Sequence, residues 1–540
     1  SHSFRRGLKM LAVTLGMVIV SILVGLVAAR TSAKIARTLR ERVFKKVVAF
    51  ARDEIDRFST ASLITRSTND IQQVQQVCMM LMRMILYAPI MCIGGIIMIS
   101  TTNLSMSWII GIAAGIVILI VVVLFTVALP KFKIMQKLID RLNLVTREIL
   151  TGIPVIRAFG RERFEENRFE DASRDLMKTQ LFTNRAMTFM FPAMTLVMNG
   201  VSVLIVWTAA HQIDIGGMQV GDMIAFITYS MMIIASFLML CMVSILLPRA
   251  GVAAGRINEI IAPEPSIVDP DDPADIGTAM NDIERRGGKP GTVRFDHVTY
   301  RYEGAEVDVL TDIDFTAAPG TTTAIIGATG SGKSTLVNLI PRFYDVTAGA
   351  VTGDGIDVRQ MRQGDLHEQL GYVPQKAVLF SGTIASNIKF GGDHISDEDM
   401  HRAADIAQAT EFIETKENGF DEPIAQGGSN VSGGQKQRLS IARAIAKKPK
   451  VLIFDDSFSA LDYATDAKLR QALHDKITDA TVIIVAQRIS TVLHADQIIV
   501  LDEGRVVGKG THAELMHDCA SYREIAYSQL SETELEGGAA

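Results

Sequence analysis

The sequence predicts two fold classes in one chain: an α-helical polytopic membrane domain, then a phosphate-loop α/β domain. Three observations carry this. Five long apolar runs stand before about Arg249, each near the length that crosses a bilayer. Beyond that point short apolar strands alternate with helical stretches. A G-x-x-x-x-G-K-[ST] string separates one such strand from one such helix.

The runs are Leu8–Ala29, Met84–Thr101, Trp108–Leu129, Met187–His211 and Asp222–Leu247. At ~1.5 Å per residue each spans a hydrocarbon core of ~30 Å. The segment 30–78 carries ten Lys and Arg against five acids, and 131–185 is also net basic. The short connections TTNLSMS and QIDIGGMQVG carry no Lys or Arg, so the long basic loops are assigned to the cytoplasm. Arg5, Arg6 and Lys9 then fall outside, in minor conflict with that rule. Five spans with a cytoplasmic C-terminal half also leave the N-terminus outside, and the chain opens SHS without an initiator methionine. A preceding span is therefore expected to be missing from this sequence. Both long loops read as helical extensions of the spans, with tips near Ser59–Ile64 and Glu148–Phe159 that could touch a cytoplasmic domain.

Net charge is −5, which gives no electrostatic case for nucleic acid. Cys78, Cys92, Cys241 and Cys519 show no paired spacing and read as reduced, small hydrophobes. Many methionines lie in the spans, Met84, Met194 and Met231 among them; they suit varied apolar shapes and ordinary helix packing alike. The domain boundaries follow from composition: 1–261 membrane domain, 262–291 a Pro-, Gly- and charge-rich linker with little regular structure, 292–530 the α/β domain, and 531–540 a disordered tail.

The phosphate chemistry is concentrated in three strings. GATGSGKST comprises Gly327, Ala328, Thr329, Gly330, Ser331, Gly332, Lys333, Ser334 and Thr335. Its glycines let backbone N–H groups curl around phosphate oxygens at a helix N-terminus. Lys333 would neutralise the β- and γ-phosphates of ATP, and Ser334 would offer its hydroxyl to Mg²⁺. VLIFDD ends an apolar strand, expected beside that loop, on Asp455, a carboxylate suited to the same Mg²⁺. VSGGQ opens a second helix at Ser432, Gly433, Gly434 and Gln435, a second anion-binding start. Two cradles far apart in sequence suggest ATP clamped between two copies of the domain.

Taken together these strings resemble a half-transporter of the ATP-binding cassette (ABC) superfamily, exporter type, and most of all one subunit of the heterodimeric bacterial multidrug exporters. The resemblance covers essentially the whole chain and implies six spans in the intact protein. GATGSGKST is similar to the Walker A motif, VLIFD to Walker B and VSGGQ to the signature. By the same resemblance Gln375 is the Q-loop residue that senses Mg²⁺, Ser459–Asp462 the D-loop, and Tyr302 the aromatic that stacks on adenine. The loop tips are similar to the coupling helices that dock on the nucleotide-binding domains.

Two positions depart from the family pattern. Asp456 stands where a catalytic glutamate is usual, and Gln487 where a switch histidine is usual. Aspartate is one methylene shorter, so its carboxylate retreats by about 1.5 Å. A displacement of ~1 Å in a catalytic group can cost on the order of 100-fold in rate. Glutamine hydrogen bonds but cannot carry a proton charge. The resemblance thus implies a heterodimer with a homologous half-transporter. This chain would lend its Walker residues to a degenerate, slowly hydrolysing site and its intact signature, with Asp462, to the partner's competent one. It implies ATP-driven efflux of small hydrophobic or amphipathic compounds across the inner (plasma) membrane, with the nucleotide-binding domain cytoplasmic. Lipid, peptide or siderophore movement on the same fold, or an ATP-gated channel or regulatory subunit, are the other readings; a soluble ATPase is excluded by the spans.

Overall fold

The computed structural model describes residues 2–85, 87–102 and 106–529. It divides into two compact units, residues 1–46 with 60–263, and residues 47–59 with 264–540.

The first unit is helical. Helix α1 (His2–Val48) carries the first apolar run and continues unbroken into the basic segment after it. Short helices α2 (Arg52–Arg57) and α3 (Thr60–Thr65) follow, then a π-helical turn over Arg66–Asp70, α4 (Ile71–Met84) and α5 (Tyr87–Thr102). Helices α6 (Ser107–Ala158), α7 (Glu162–Asp214) and α8 (Val220–Ile261) hold the remaining runs. At ~1.5 Å per residue α6 and α7 are each nearly 80 Å long, and only Phe159–Arg161 separates them. The long loops are thus helical extensions of spans, as their composition suggests. Pro130, Pro154 and Pro192 are accommodated inside α6 and α7.

Among the described residues four stretches are long and apolar enough to cross a membrane: Phe4–Val48, Thr60–Thr101, Glu162–Asp214 and Val220–Leu240. The fifth run is represented by a shorter apolar stretch, Ser107–Val123. The side chain of Cys241 and the tail 531–540 lie outside the described residues. Ile99, Ile109, Ile205, Phe226 and Ile233 form the buried centre where α5, α6, α7 and α8 pack. Gly95 lets α5 and α8 approach closely, because a Cβ there would stand 2.7 Å from Ile233 Cγ1. Met194 packs with Val117 and Ile234 against partly buried Met190 and Met198, a packing use of thioethers. Near the end of α8, Glu259 pairs with Arg66 at 2.7 Å and Arg256 approaches the buried Asp70 at 3.5 Å, which ties α8 to the π-turn.

The second unit begins unexpectedly. Residues 47–59, read from sequence as part of a membrane-domain loop, belong to it. Glu54 is buried and accepts the Ser266 N–H at 2.9 Å, and Arg57 pairs with Glu303. The linker is also more ordered than its composition suggests. Helix α9 (Ile276–Arg285) forms within it, because Asp275 caps Thr278 N at 3.2 Å and Ile276 is buried.

Four strands make an antiparallel sheet in the order β2 (Leu310–Ala317), β1 (Val293–Tyr300), β4 (Ala348–Gly353), β5 (Ile356–Asp357). A second, six-stranded sheet carries the site: β12 (Arg505–Gly510), β11 (Gln497–Asp502), β3 (Thr322–Gly327), β10 (Thr481–Val485), β9 (Val451–Asp455), β6 (Leu370–Val373). All its pairings are parallel except the β11–β12 edge, and β7 (Gly382–Thr383) and β8 (Pro423–Ile424) pair separately. Parallel strands covered on both faces read as continuous apolar runs, as VLIF and VIIV do. Alternate residues feed two cores: Ile326, Leu452, Phe454 and Ile484 enter one, and Ile325, Ile453, Ile483 and Val485 the other.

Candidate functional site

The site forms at the carboxyl ends of β3, β10 and β9. Strand β3 ends at Gly327, and the loop 328–332 turns into helix α10 (Lys333–Leu339). Gly330 and Gly332 take φ of 86° and 95°, conformations that favour glycine. A Cβ on Gly332 would also meet Leu310 Cδ2 at 2.8 Å, so the loop can close over the helix start only with glycine there.

Strand β9 reaches the loop with β10 between it and β3; Val485 pairs with Asp455 on one side and with Ile325 on the other. A buried central strand had no signature of its own to place it in that order. The contact expected of Asp455 is nevertheless made: Ser334 Oγ donates to Asp455 Oδ1 at 2.8 Å. Burial pushes the Asp455 pKa up, opposed by that hydrogen bond. Lys333 is buried and its pKa is lowered by burial, against the pull of Asp456 and Asp455. Its Nζ donates to Gly327 O at 2.8 Å and Ala328 O at 2.7 Å, carbonyls of its own loop. Ser331 Oγ is buried with no hydrogen-bond partner. Glycine turns leading into a helix, an ammonium held by neutral carbonyls, an unmatched hydroxyl, and a Ser–Asp pair fit a triphosphate with Mg²⁺. Ser334 and Asp455 are the residues that would hold the ion; Gln375 bonds to the next residue, Asp456.

Asp456 follows at φ 48°, a left-handed conformation that aspartate tolerates better than most residues. Its N–H donates to Val485 O at 3.1 Å. Its side chain is buried, and its Oδ2 accepts two amide hydrogens: Gln487 Nε2 at 2.7 Å and Gln375 Nε2 at 3.1 Å. The two departures from the family pattern are therefore in direct contact. Gln529 is a residue that sequence reasoning missed. It brackets the segment, donating to Gln487 O at 2.8 Å and accepting from Ile489 N at 2.9 Å. Nothing in a near-terminal glutamine signals that reach.

Tyr302 lies alongside the loop's helix, its hydroxyl 2.9 Å from Thr335 Oγ1 and its ring edge-on to Tyr344 at 5.4 Å. Ser432 behaves differently. It caps the helix Gly433–Ala446 in a closed box with Gln435, whose N–H it accepts at 3.3 Å. Among the described residues no hydrogen bond joins Ser432 to Lys333, Ser334 or Asp455. Gly434 instead approaches Ala460 O, with a Cβ position 3.4 Å away. Asp462 is exposed and caps the helix Tyr463–Lys476; the Thr465 N–H holds its carboxyl below the usual range.

A family model of the ABC transporter transmembrane region matches residues 5–237, and one of the ABC transporter matches residues 310–459. The uncharacterized ABC transporter ATP-binding protein Rv1273c of Mycobacterium tuberculosis is 43% identical over 97% of this chain and 89% of its own length.

The chain belongs to the ABC transporter family.

It is of the exporter type, with the membrane region fused ahead of the nucleotide-binding domain. The ABC transporter ATP-binding protein YfiB of Bacillus subtilis is 36% identical over 96% of this chain and 89% of its own length. An ATP-dependent lipid A-core flippase of Pseudomonas aeruginosa is 31% identical over 93% and 81%. Among solved structures, a bacterial Atm1-family ABC exporter with ATP bound superposes with a TM-score of 0.79 at 26% identity, covering 97% of this chain and 90% of that one. The exporter is thus a transport-coupled ATPase by family.

Proposed function

We propose that the exporter is one half of a heterodimer that uses ATP to move small hydrophobic or amphipathic compounds out across the inner (plasma) membrane. Its nucleotide-binding domain stands in the cytoplasm, and its own Walker residues form the slower of two ATP sites. In this reading Tyr302 stacks on adenine, Gly327–Thr335 cradle the phosphates, and Ser334, Gln375 and Asp455 hold Mg²⁺. Ser432, Gly433, Gly434 and Gln435, with Asp462, serve the partner's ATP.

The observation that carries it is the double amide clamp on Asp456 Oδ2. A base that activates water needs a free, well-aimed oxygen. Here the carboxylate is already one methylene short, and one of its oxygens is engaged by two donors that cannot be deprotonated at physiological pH. Binding should persist, because Lys333, Ser334 and Asp455 keep their geometry. An amphipathic lipid as the cargo is a second reading, favoured by the flippases among the relatives. The test is ATPase activity of the chain alone and with a candidate partner half bearing glutamate and histidine at the two positions. Slow turnover alone and fast turnover together are expected; brisk turnover by the chain alone would refute the asymmetry.

A further inference from the structure

We propose that Arg83, Gly25 and Ser21 form a site for the anionic headgroup of an amphiphile, at the cytoplasmic end of the first membrane span. The proposal rests on the export reading and deepens it by naming a substrate chemistry.

Arg83 lies on α4, immediately before the apolar run that begins at Met84, and its guanidinium stands against Gly25 of α1. A Cβ on Gly25 would be 3.4 Å from Arg83 Nη2, so the absence of a side chain there leaves the guanidinium room. Gly25 is five residues inside Arg30, or roughly 7 Å along the apolar run at ~1.5 Å per residue. The cation is therefore held at the level of the inner leaflet rather than in bulk water. Among the described residues Arg83 makes no hydrogen bond or ion pair, and no Asp or Glu lines the cavity beside it. That cavity is 590 Å³. Its walls combine Met17, Val18 and Ile22 with the hydroxyls of Thr14 and Ser21. Thr14 already donates to Met10 O at 2.9 Å. Ser21 has no such bond among the described residues and can donate to a ligand.

An unpaired cation among apolar side chains at membrane depth is costly, and such residues mark ligand paths. The planar guanidinium matches phosphate or carboxylate oxygens in pairs. The adjoining apolar wall suits an alkyl chain. Phosphate or carboxylate on an amphiphile is the shared chemistry, whether the molecule is cargo or a resident lipid.

The test uses the native assembly in phosphatidylcholine nanodiscs, titrated with radiolabelled dodecyl phosphate and separately with dodecylphosphocholine, with protein-free discs as background. Arg83→Gln should weaken dodecyl phosphate binding about ten-fold or more, the scale of a lost charge-assisted hydrogen bond. Arg83→Lys should recover part of it, and dodecylphosphocholine should bind equally to all three. Gly25→Leu, which crowds the guanidinium and keeps the charge, should weaken dodecyl phosphate as well. Unchanged thermal unfolding certifies the variants; if Arg83→Gln does not fold, Gly25→Leu decides. Equal dodecyl phosphate affinity in wild type and in the folded variants would overturn the proposal. Stimulated ATP turnover in wild type but not in Arg83→Gln identifies cargo, and binding without stimulation identifies a resident lipid; both place the anion at Arg83. Absence of ATP-driven export by the wild type would refute the transport reading, while the binding comparison still decides the site.

Discussion

Gln487 donates its side-chain amide to Oδ2 of Asp456 at 2.7 Å, on the same oxygen that accepts from Gln375 at 3.1 Å. A primary amide always presents hydrogens, so the contact is independent of protonation near neutral pH. The shorter acid and the glutamine are thus joined directly by a hydrogen bond.

If the clamp already silences Asp456, removing its charge changes little. Asp456→Asn should alter the steady-state ATP turnover of the heterodimer by no more than about three-fold, roughly 0.7 kcal/mol. Ser432→Arg, which breaks the cap and places a bulky cation where the partner's phosphates are proposed to bind, should abolish most turnover. A phosphate-release assay on both variants distinguishes them, and a severe Asp456→Asn effect would count against the asymmetry.

Asp455 makes an opposite pair of predictions. Burial raises its folded pKa, so its contribution to stability is present at low pH and is lost as pH rises through that value. Asp455→Asn keeps an acceptor for Ser334 and removes the buried charge. The nucleotide-free domain should melt higher than wild type at pH 7, and the gap should close on acidification toward the ordinary aspartate value of 3.8. The rise in melting temperature on adding MgATP should shrink at the same time. Differential scanning fluorimetry with and without MgATP reads both effects.

Much of this site was legible in sequence. The phosphate loop and Asp455 follow from residue type and spacing, because a phosphate cradle tolerates few alternatives, whereas Asp456 and Gln487 stand out only against the pattern of the family that the chain resembles. The partners that tertiary packing supplies were not legible. Strand β10 lies between β3 and β9, yet VIIV has no mark that separates it from any other buried strand. The clamp on Asp456 Oδ2 joins positions 81 and 31 residues away. Helix Ile276–Arg285 was hidden by the prolines and glycines that flank it, although Asp275 is a good cap.

Gln529 holds the 487–489 segment through two hydrogen bonds to backbone atoms. Gln529→Ala removes both and should cost about 1–3 kcal/mol. The measurement is urea unfolding of the protein, with hydrogen exchange at Ile489 as the local readout. Faster exchange there with unchanged exchange in β9 is the expected pattern.

Residues 47–59 pack with the second unit through Glu54. Burial raises the pKa of Glu54, but hydrogen bonds from Ser266 outweigh it and hold the carboxyl below the ordinary value of 4.5. Stability from this contact is therefore present above that value and is lost as pH falls through the lowered one. Limited proteolysis should show 47–59 protected at pH 7 and exposed in acid, and Glu54→Ala should expose it at both.

The most direct test of the account is the ATP turnover of this chain, purified without a partner, as wild type and as Asp456→Glu with Gln487→His. A degenerate site requires slow wild-type turnover and a rise on the order of 100-fold in the double variant, the scale of a catalytic group restored to position. Wild-type turnover equal to that of the double variant would contradict it.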